Sequence, residues 1–218
     1  IVEVLQAEGG VNLASKEWMQ ALQQLAHDLG ALLIVDDIQA GCGRTGTYFS
    51  FEEYGIDPDI ITLAKGIGGI GTPMAMNLVK PEHDKHWKPG EHTGTFRGQN
   101  LSFVAGREAL RYFEDDELMS ETRRKGEIMA KHLEGIAEKY ADKGFVARGK
   151  GMMQALDTGD GALAKAIARD CFDHGMLFGP CGVGGAVIKL IPPLTIPDGD
   201  LQAGLQILSE AVSRQMEG

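Results

Sequence analysis

The sequence predicts an α/β fold with a mostly parallel sheet, and its apolar runs and their rhythm carry that prediction. The run Ala31–Val35 is apolar without interruption, as expected for a strand that helices cover on both faces of a parallel sheet. Strand-like and helical segments alternate up to Val79, which is typical of an α/β sheet. Ligands of such sheets bind beyond the carboxyl ends of the strands, and Asp36 and Lys65 both follow such ends.

Local signals define the elements of the first half. Ser15 is a residue type that caps helices, and Gly30 is a typical stop, so a helix is predicted from Ser15 to Leu29. Its apolar side chains recur at three- and four-residue spacing, at Trp18, Leu22, Leu25 and Leu29. The turn Asp57–Asp59 precedes another strand. The predicted strands are Ile1–Leu5, Ala31–Val35, Ile60–Leu63 and Pro73–Val79.

The second half changes to long helices and short strands. Helices are predicted at Asn100–Phe113, Asp116–Tyr140 and Ala162–His174 and from Asp198 onward, and strands at Phe145–Arg148, Met152–Leu156 and Ala186–Ile191. This change of character predicts two domains, which comprise residues 1–108 and residues 109–218.

Composition restricts the class of protein. A net charge of −10 without a clustered basic stripe argues against a nucleic-acid surface, and the apolar runs are far shorter than a membrane-spanning helix. The cysteines are odd in number and stand at no metal-ligand spacing, which predicts a cytoplasmic protein without a metal site. Because the chain opens inside a predicted strand, we expect it to be part of a longer polypeptide.

The residues after two predicted strands have the chemistry needed to hold pyridoxal phosphate. Lys65 supplies an amine that can form an imine with the cofactor aldehyde, and Asp36 supplies a carboxylate that can keep the ring nitrogen protonated. Alternation along an extended segment places Ile38 on the same side as Asp36, where it can pack on a flat ring. Gln39 is within reach of the phenolic oxygen of such a ring.

A dinucleotide-binding oxidoreductase is the alternative that the glycines raise. Gly66, Gly68 and Gly71 satisfy the GxGxxG spacing. That motif requires a helix to begin at the glycines, whereas here they lead into a predicted strand at Pro73–Val79. A flexible turn also explains the glycines, but it does not explain the lysine in front of them.

Several blocks together resemble the class III, or ω-amino acid, aminotransferases, and they extend over nearly the whole chain. The blocks are Glu3–Gly10, Val35–Gly46, Pro58–Lys65, Gly90–Gly98, Arg148–Met152 and Ile191–Leu194. The resemblance implies the type I, aspartate-aminotransferase-like fold of pyridoxal-phosphate-dependent transferases. It implies that this chain contains the later part of the large cofactor domain and the small C-terminal α/β domain.

The resemblance also implies roles for individual residues. Lys65 would hold the cofactor covalently, Asp36 would pair with its ring nitrogen, Ile38 would pack on the ring and Gln39 would bind the phenolic oxygen. Thr95 would bind the cofactor phosphate of the partner subunit, which implies a homodimer with a shared active site.

For the substrate, the resemblance indicates a small amino acid and a keto acid. Glu8 matches a glutamate that pairs with an active-site arginine in this family, but Lys189 stands where that arginine is expected. Trp87–His92 and Gly94–Val104 are most similar to the enzymes that exchange the 4-amino group of L-2,4-diaminobutyrate with 2-oxoglutarate. There Arg97 is an added cation that either binds a substrate carboxylate or pairs with Glu91. The alternatives are 4-aminobutyrate, ornithine or acetylornithine as the donor, or an inactive fragment.

Overall fold

A computed structural model describes residues 1–69, 71–95 and 97–217. The strands are β1 Leu5–Gln6, β2 Asn12–Leu13, β3 Ile34–Asp36, β4 Ile60–Leu63, β5 Met76–Val79, β6 Val146–Lys150, β7 Met153–Asp157, β8 Pro180–Cys181 and β9 Val187–Leu190. The helices are α1 Lys16–Asp28, α2 Pro81–Asp84, α3 Asn100–Leu110, α4 Glu117–Lys139, α5 Gly161–Asp173 and α6 Asp198–Glu217. None of the described helices combines the length and the apolar character that crossing a membrane requires.

The chain divides into two compact units. Unit 1 comprises Ile1–Val4, Ala14–Gly43 and Thr47–Glu117, and unit 2 comprises Leu5–Leu13, Arg44–Gly46 and Leu118–Gly218. The main division therefore falls after Glu117, and two short segments of the first half belong to unit 2. The domain boundary near residue 108 stays a prediction.

Unit 1 is built on the sheet β3-β4-β5. β3 and β4 are parallel, with Asp36 opposite Thr62, while β5 runs antiparallel to β4. The strand predicted at Ile60–Leu63 has those bounds, whereas the one predicted at Pro73–Val79 begins only at Met76. The prediction of a strand at Ile1–Leu5 is wrong, because only Val2 forms a bridge to Val35.

Helix α1 packs on the core of this unit through Met19 and Leu22, so only one of its four predicted apolar positions lies on the packed face. Its N-terminus is capped as predicted, since the Ser15 hydroxyl accepts a hydrogen bond from the Trp18 amide at 3.1 Å. Met19 is fully buried, whereas Trp18, Leu25 and Leu29 are exposed. The core of unit 1 consists of Val4, Met19, Leu33, Val35, Phe51 and Tyr54.

Unit 2 has an antiparallel sheet in the order β6-β7-β9-β8. The hydrophobic core forms where α4, α5 and α6 contribute Met129, Leu133, Ile167, Leu205 and Leu208 alongside Leu156 and Ile188 of the sheet. The hairpin of β1 and β2 belongs to the same unit, and the Arg148 Nε donates to the Gly10 carbonyl at 2.9 Å.

Candidate active site

Lys65 lies at the point where β4 ends and a short 3-10 turn, Lys65–Gly68, begins. Its φ of 51° is in the left-handed region, although it is not a glycine. Such a conformation is unfavourable for a long side chain and persists only where the surroundings hold it in place. The regular alternation of side chains along β4 therefore stops before Lys65, and the Lys65 side chain is exposed.

A cavity of about 870 Å³ opens at this turn. Lys65 lines it together with the segment 71–75 and with residues at the start of α3. Arg97 lines the same cavity, so unit 1 places two predicted site residues at one opening. The volume is within the range of small-molecule sites.

Asp36 ends β3, the strand that is parallel to β4. Asp36 and Thr62 are opposite each other, so their side chains share the sheet face opposite to Val35, which is in the core. The Asp36 Oδ1 accepts a hydrogen bond from the Ile38 amide at 3.1 Å, which fixes the carboxylate at the strand end. Asp36 and Lys65 therefore leave neighbouring parallel strands at the same edge of the sheet.

Polar groups around Asp36 are compatible with a polar ligand. Asp36, Ile38 and Gln39 are half-buried. The Thr62 Oγ1 is buried and has no hydrogen-bond partner within the part of the chain that the structure describes. A half-buried carboxylate and an amine that lines a cavity are the groups that a cationic ring and an aldehyde require, so these residues fit pyridoxal phosphate.

Asp37, next to Asp36, has a different environment. Its side chain is buried, and its Oδ2 accepts a hydrogen bond from the Ser50 amide at 3.1 Å. Burial raises the pKa of the Asp37 carboxyl to about 6, although the hydrogen bond from the Ser50 amide opposes the shift. A Cβ on Gly41 would lie 2.6 Å from the Asp37 Oδ2, so only glycine fits there. Asp37 therefore organises the loop after β3, a role that the sequence did not reveal.

Cys42 brings this loop into contact with the turn that begins at Lys65. The Cβ of Cys42 lies 3.1 Å from the position that a Cβ on Gly66 would occupy. Burial raises the pKa of the Cys42 thiol to about 11 and that of the Tyr48 hydroxyl to about 12. Both groups remain protonated at neutral pH, so Cys42 is a packing residue and not a nucleophile.

Thr95 and Arg97 are exposed, and Phe96 between them lies outside the described residues. The stem of Arg97 folds over Gly94, where a Cβ would lie 2.9 Å from the Arg97 Cγ. The Glu91 carboxylate, which was the alternative partner of Arg97, accepts the Lys88 amide at 2.8 Å.

Glu8 and Lys189 meet in unit 2. The Lys189 Nζ lies 2.5 Å from the Glu8 Oε1, with the lysine side chain 7% exposed and the glutamate 70% exposed. Both residues line a second, largely apolar cavity of about 770 Å³. The lysine is buried in β9 and paired with Glu8.

The alternative of a dinucleotide site is also wrong. Gly66 and Gly68 lie in a four-residue 3-10 turn, Lys65–Gly68, and Gly71 follows it on the way to β5. Within the described residues, which omit only Ile70 from the glycine segment, no helix N-terminus stands at these glycines to receive a pyrophosphate.

Comparison with known proteins agrees with this geometry. The family described as Aminotransferase class-III matches residues 1–212. An uncharacterized aminotransferase of Sinorhizobium fredii is 48% identical, over 98% of this chain and 48% of that protein. A diaminobutyrate–2-oxoglutarate transaminase of Wolinella succinogenes is 47% identical, over 97% of this chain and 49% of that protein. The chain thus spans about half the length of the curated relatives it matches.

Among solved structures, the ornithine aminotransferase of Toxoplasma gondii superimposes with a TM-score of 0.90 at 27% identity. The match covers 99% of this chain and 51% of that structure. The predicted type I fold of pyridoxal-phosphate-dependent transferases is thereby confirmed. The match over residues 1–212 and this likeness establish that the chain belongs to the class-III aminotransferase family.

Proposed function

We propose that this chain forms the lysine-bearing part of a pyridoxal-phosphate-dependent aminotransferase. In this proposal the enzyme moves the 4-amino group between L-2,4-diaminobutyrate and 2-oxoglutarate, with aspartate semialdehyde and glutamate as the other pair. The observation that carries it is the strained turn that presents Lys65 at a cavity, at the sheet edge where Asp36 also lies. The names of several relatives at 42–47% identity support the choice of substrate.

In the proposed holoenzyme, pyridoxal phosphate supplies an electron sink for the carbon that loses its proton. Asp36 holds the ring nitrogen in its protonated state, and its bond from the Ile38 amide keeps the carboxylate oriented. Ile38 would pack on the ring, and Gln39 would bind the phenolic oxygen. Thr95 would bind the phosphate of the cofactor in the partner subunit.

Lys65 moves the proton in this proposal. Its Nζ would take the proton from the substrate carbon that bears the transferred nitrogen and would give it back in a 1,3-proton shift, for which bound pyridoxal phosphate would supply the electron sink. Because Lys65 lines an open cavity, its side chain has room to move during this proton transfer. The left-handed backbone at Lys65 costs conformational energy, and such strained residues are often found where a side chain must be held in place for function.

Glu8, Arg97 and Lys189 are the proposed substrate-binding residues. Arg97 lines the cavity of Lys65, and a guanidinium can bind a carboxylate in a bidentate manner. Lys189 is a compact charge that is already paired with Glu8, so it binds a carboxylate only when that pair opens.

We also propose a cytoplasmic homodimer. Helix α3 and the turn after it leave large apolar side chains exposed, at Leu101, Phe103, Val104, Leu110 and Tyr112. Large apolar side chains that are exposed in such number are typical of a surface that other protein segments cover. Cys42, Cys171 and Cys181 are free thiols, which supports a reducing compartment.

A panel of amino donors with 2-oxoglutarate, run on the intact protein, tests the proposal. We expect L-2,4-diaminobutyrate to give glutamate faster than 4-aminobutyrate, ornithine or acetylornithine. A faster rate with one of the other three donors would contradict the substrate, and no transfer from any of the four would contradict the aminotransferase itself.

A further inference from the structure

Helix α3 touches the turn of Lys65 backbone to backbone. A Cβ added to Gly106, in the middle of α3, would lie 2.7 Å from the Ile67 carbonyl oxygen. A Cβ added to Gly69, at the end of the turn, would lie 2.9 Å from the Ala105 carbonyl oxygen. The nearest atom is a backbone atom in both cases, so no flexible side chain can yield to an added methyl group.

Hydrogen bonds within the turn would transmit a displacement of one of its residues to the others. The Gly69 amide donates to the Gly66 carbonyl at 3.1 Å, and the Thr72 hydroxyl donates to the Gly68 carbonyl at 2.8 Å. Ile67 and Gly68 are buried. Lys65 is two residues before Ile67 in this bonded turn, so a shift of the Ile67 carbonyl reaches Lys65 through two peptide units.

The same helix also holds the chain after the turn. The Ser102 hydroxyl donates to the Pro73 carbonyl at 2.9 Å. Pro73 and Ser102 both line the cavity that contains Lys65. One helix thus contacts the turn at Gly106 and another lining segment of the cavity at Ser102.

We propose that Gly106 is a positioning residue for Lys65. The absence of a side chain at Gly106 lets α3 approach the turn closely enough to hold Lys65 in its left-handed conformation. This inference rests on the proposed function, because it is the amine of Lys65 that the helix positions. It adds a residue that the spacing of the motifs does not mark.

The test compares Gly106→Ala with Gly135→Ala. Gly135 lies in α4, and a Cβ there would meet nothing within 4 Å, so this variant controls for the effect of alanine in a helix. The first readout needs no cofactor, since it is the hydrogen exchange of the Ile67 and Gly69 amides. We expect faster exchange at both amides in Gly106→Ala and no change in Gly135→Ala.

The second readout is the rate at which Lys65 forms a borohydride-reducible adduct with pyridoxal phosphate, measured across a range of pH. We expect Gly106→Ala to form it about tenfold more slowly, because a displacement of the amine by a fraction of an ångström is penalised in such reactions. We also expect the midpoint of its pH profile to move. Gly135→Ala should match the unmodified protein in rate and in profile.

Two further variants keep the inference open to contradiction. Ser102→Ala removes the hydroxyl that contacts the Pro73 carbonyl oxygen and the Gln99 Oε1, each at 2.9 Å, and leaves the Gly106 contact in place. It should therefore give a milder change in the same direction if Gly106→Ala does not fold. Adding Met74→Ala to Gly106→Ala relieves the 3.1 Å contact with the Met74 Sδ and leaves the contact with Ile67 in place, so it should not restore the rate.

The inference is overturned if Gly106→Ala matches Gly135→Ala in both readouts, or if Met74→Ala restores the rate. It is also overturned if Gly106→Ala does not fold and Ser102→Ala leaves both readouts unchanged. If the unmodified protein forms no adduct at Lys65, the proposed function fails, and the exchange comparison still decides whether α3 holds the turn.

Discussion

Two cavities, one in each unit, are both lined by a lysine but place it in different ways. The cavity in unit 1 is lined by Lys65, which is exposed and has a strained, left-handed backbone. The cavity in unit 2 is lined by Lys189, which is buried in a regular strand and paired with Glu8. The comparison teaches that the residue type does not reveal the role. A lysine in a strained turn is placed for chemistry, whereas a lysine in a strand can contribute charge to a stable structure.

Removing the amine at the first cavity should have the largest effect. Lys65→Ala should lower the rate of amino transfer at least about a hundredfold, because a positioned acid–base group contributes that much or more. Initial rates with L-2,4-diaminobutyrate and 2-oxoglutarate measure the change. Lys131→Ala, which alters an exposed lysine in α4, is the control and should keep the full rate. Equal rates for the two variants would remove the distinction between Lys65 and an ordinary lysine.

Asp36 and Asp37, the adjacent carboxylates at the end of β3, give a second comparison. Here the expected effect is on the stability of the fold and its dependence on pH. The folded state raises the pKa of Asp37 from 3.8 to about 6, so the folded state binds the proton more tightly than the unfolded state. The resulting stabilisation is present below about pH 4 and is lost as the pH rises through 6, by up to about 3 kcal/mol.

Asp37→Asn removes this titration while it keeps an oxygen for the Ser50 amide. Urea unfolding at several pH values between 4 and 7 measures the difference in unfolding free energy between the two proteins. We expect the unmodified protein to lose stability relative to Asp37→Asn as the pH rises. A difference that stays constant with pH would contradict the burial of a titrating carboxyl at Asp37.

The ion pair of the second cavity should respond unequally to the loss of its two members. Glu8→Gln removes the carboxylate that neutralises buried Lys189, so it should lower the free energy of unfolding by about 1 to 3 kcal/mol. Lys189→Met removes the buried charge, and the exposed Glu8 remains hydrated, so this variant should be closer to neutral. Urea unfolding of both variants measures the order, and the reverse order would contradict the burial of Lys189.

The helix cap of α1 should give the smallest effect. Ser15→Ala removes the acceptor for the Trp18 amide and should lower the free energy of unfolding by about 1 kcal/mol. Ser15→Asn retains a capping side chain and serves as the control. If Ser15→Ala unfolds at the same urea concentration as Ser15→Asn, the cap contributes nothing measurable.

Local signals were sufficient for much of the fold. Ser15 caps α1, and β4 has the predicted bounds, because capping and apolar runs are properties of neighbouring residues. The hairpin of β1 and β2 was missed, since its two-residue strands depend on the pairing of Leu5 with Leu13. The apolar spacing of α1 predicted a helix correctly but did not reveal that Trp18 and Leu25 would be exposed.

For the site, the sequence predicted the types of residue but not how their backbone is held. Lys65 and Asp36 stood out because each follows an apolar run. The left-handed φ of Lys65, the burial of Asp37 and the close approach of Gly106 to Ile67 depend on packing between distant segments. No spacing rule in one sequence records such contacts.

Borohydride reduction of the intact protein with pyridoxal phosphate, followed by peptide mass spectrometry, tests the central claim most directly. The account predicts one reduced cofactor adduct, on the peptide that contains Lys65. An adduct on any other lysine, or no adduct, would contradict it.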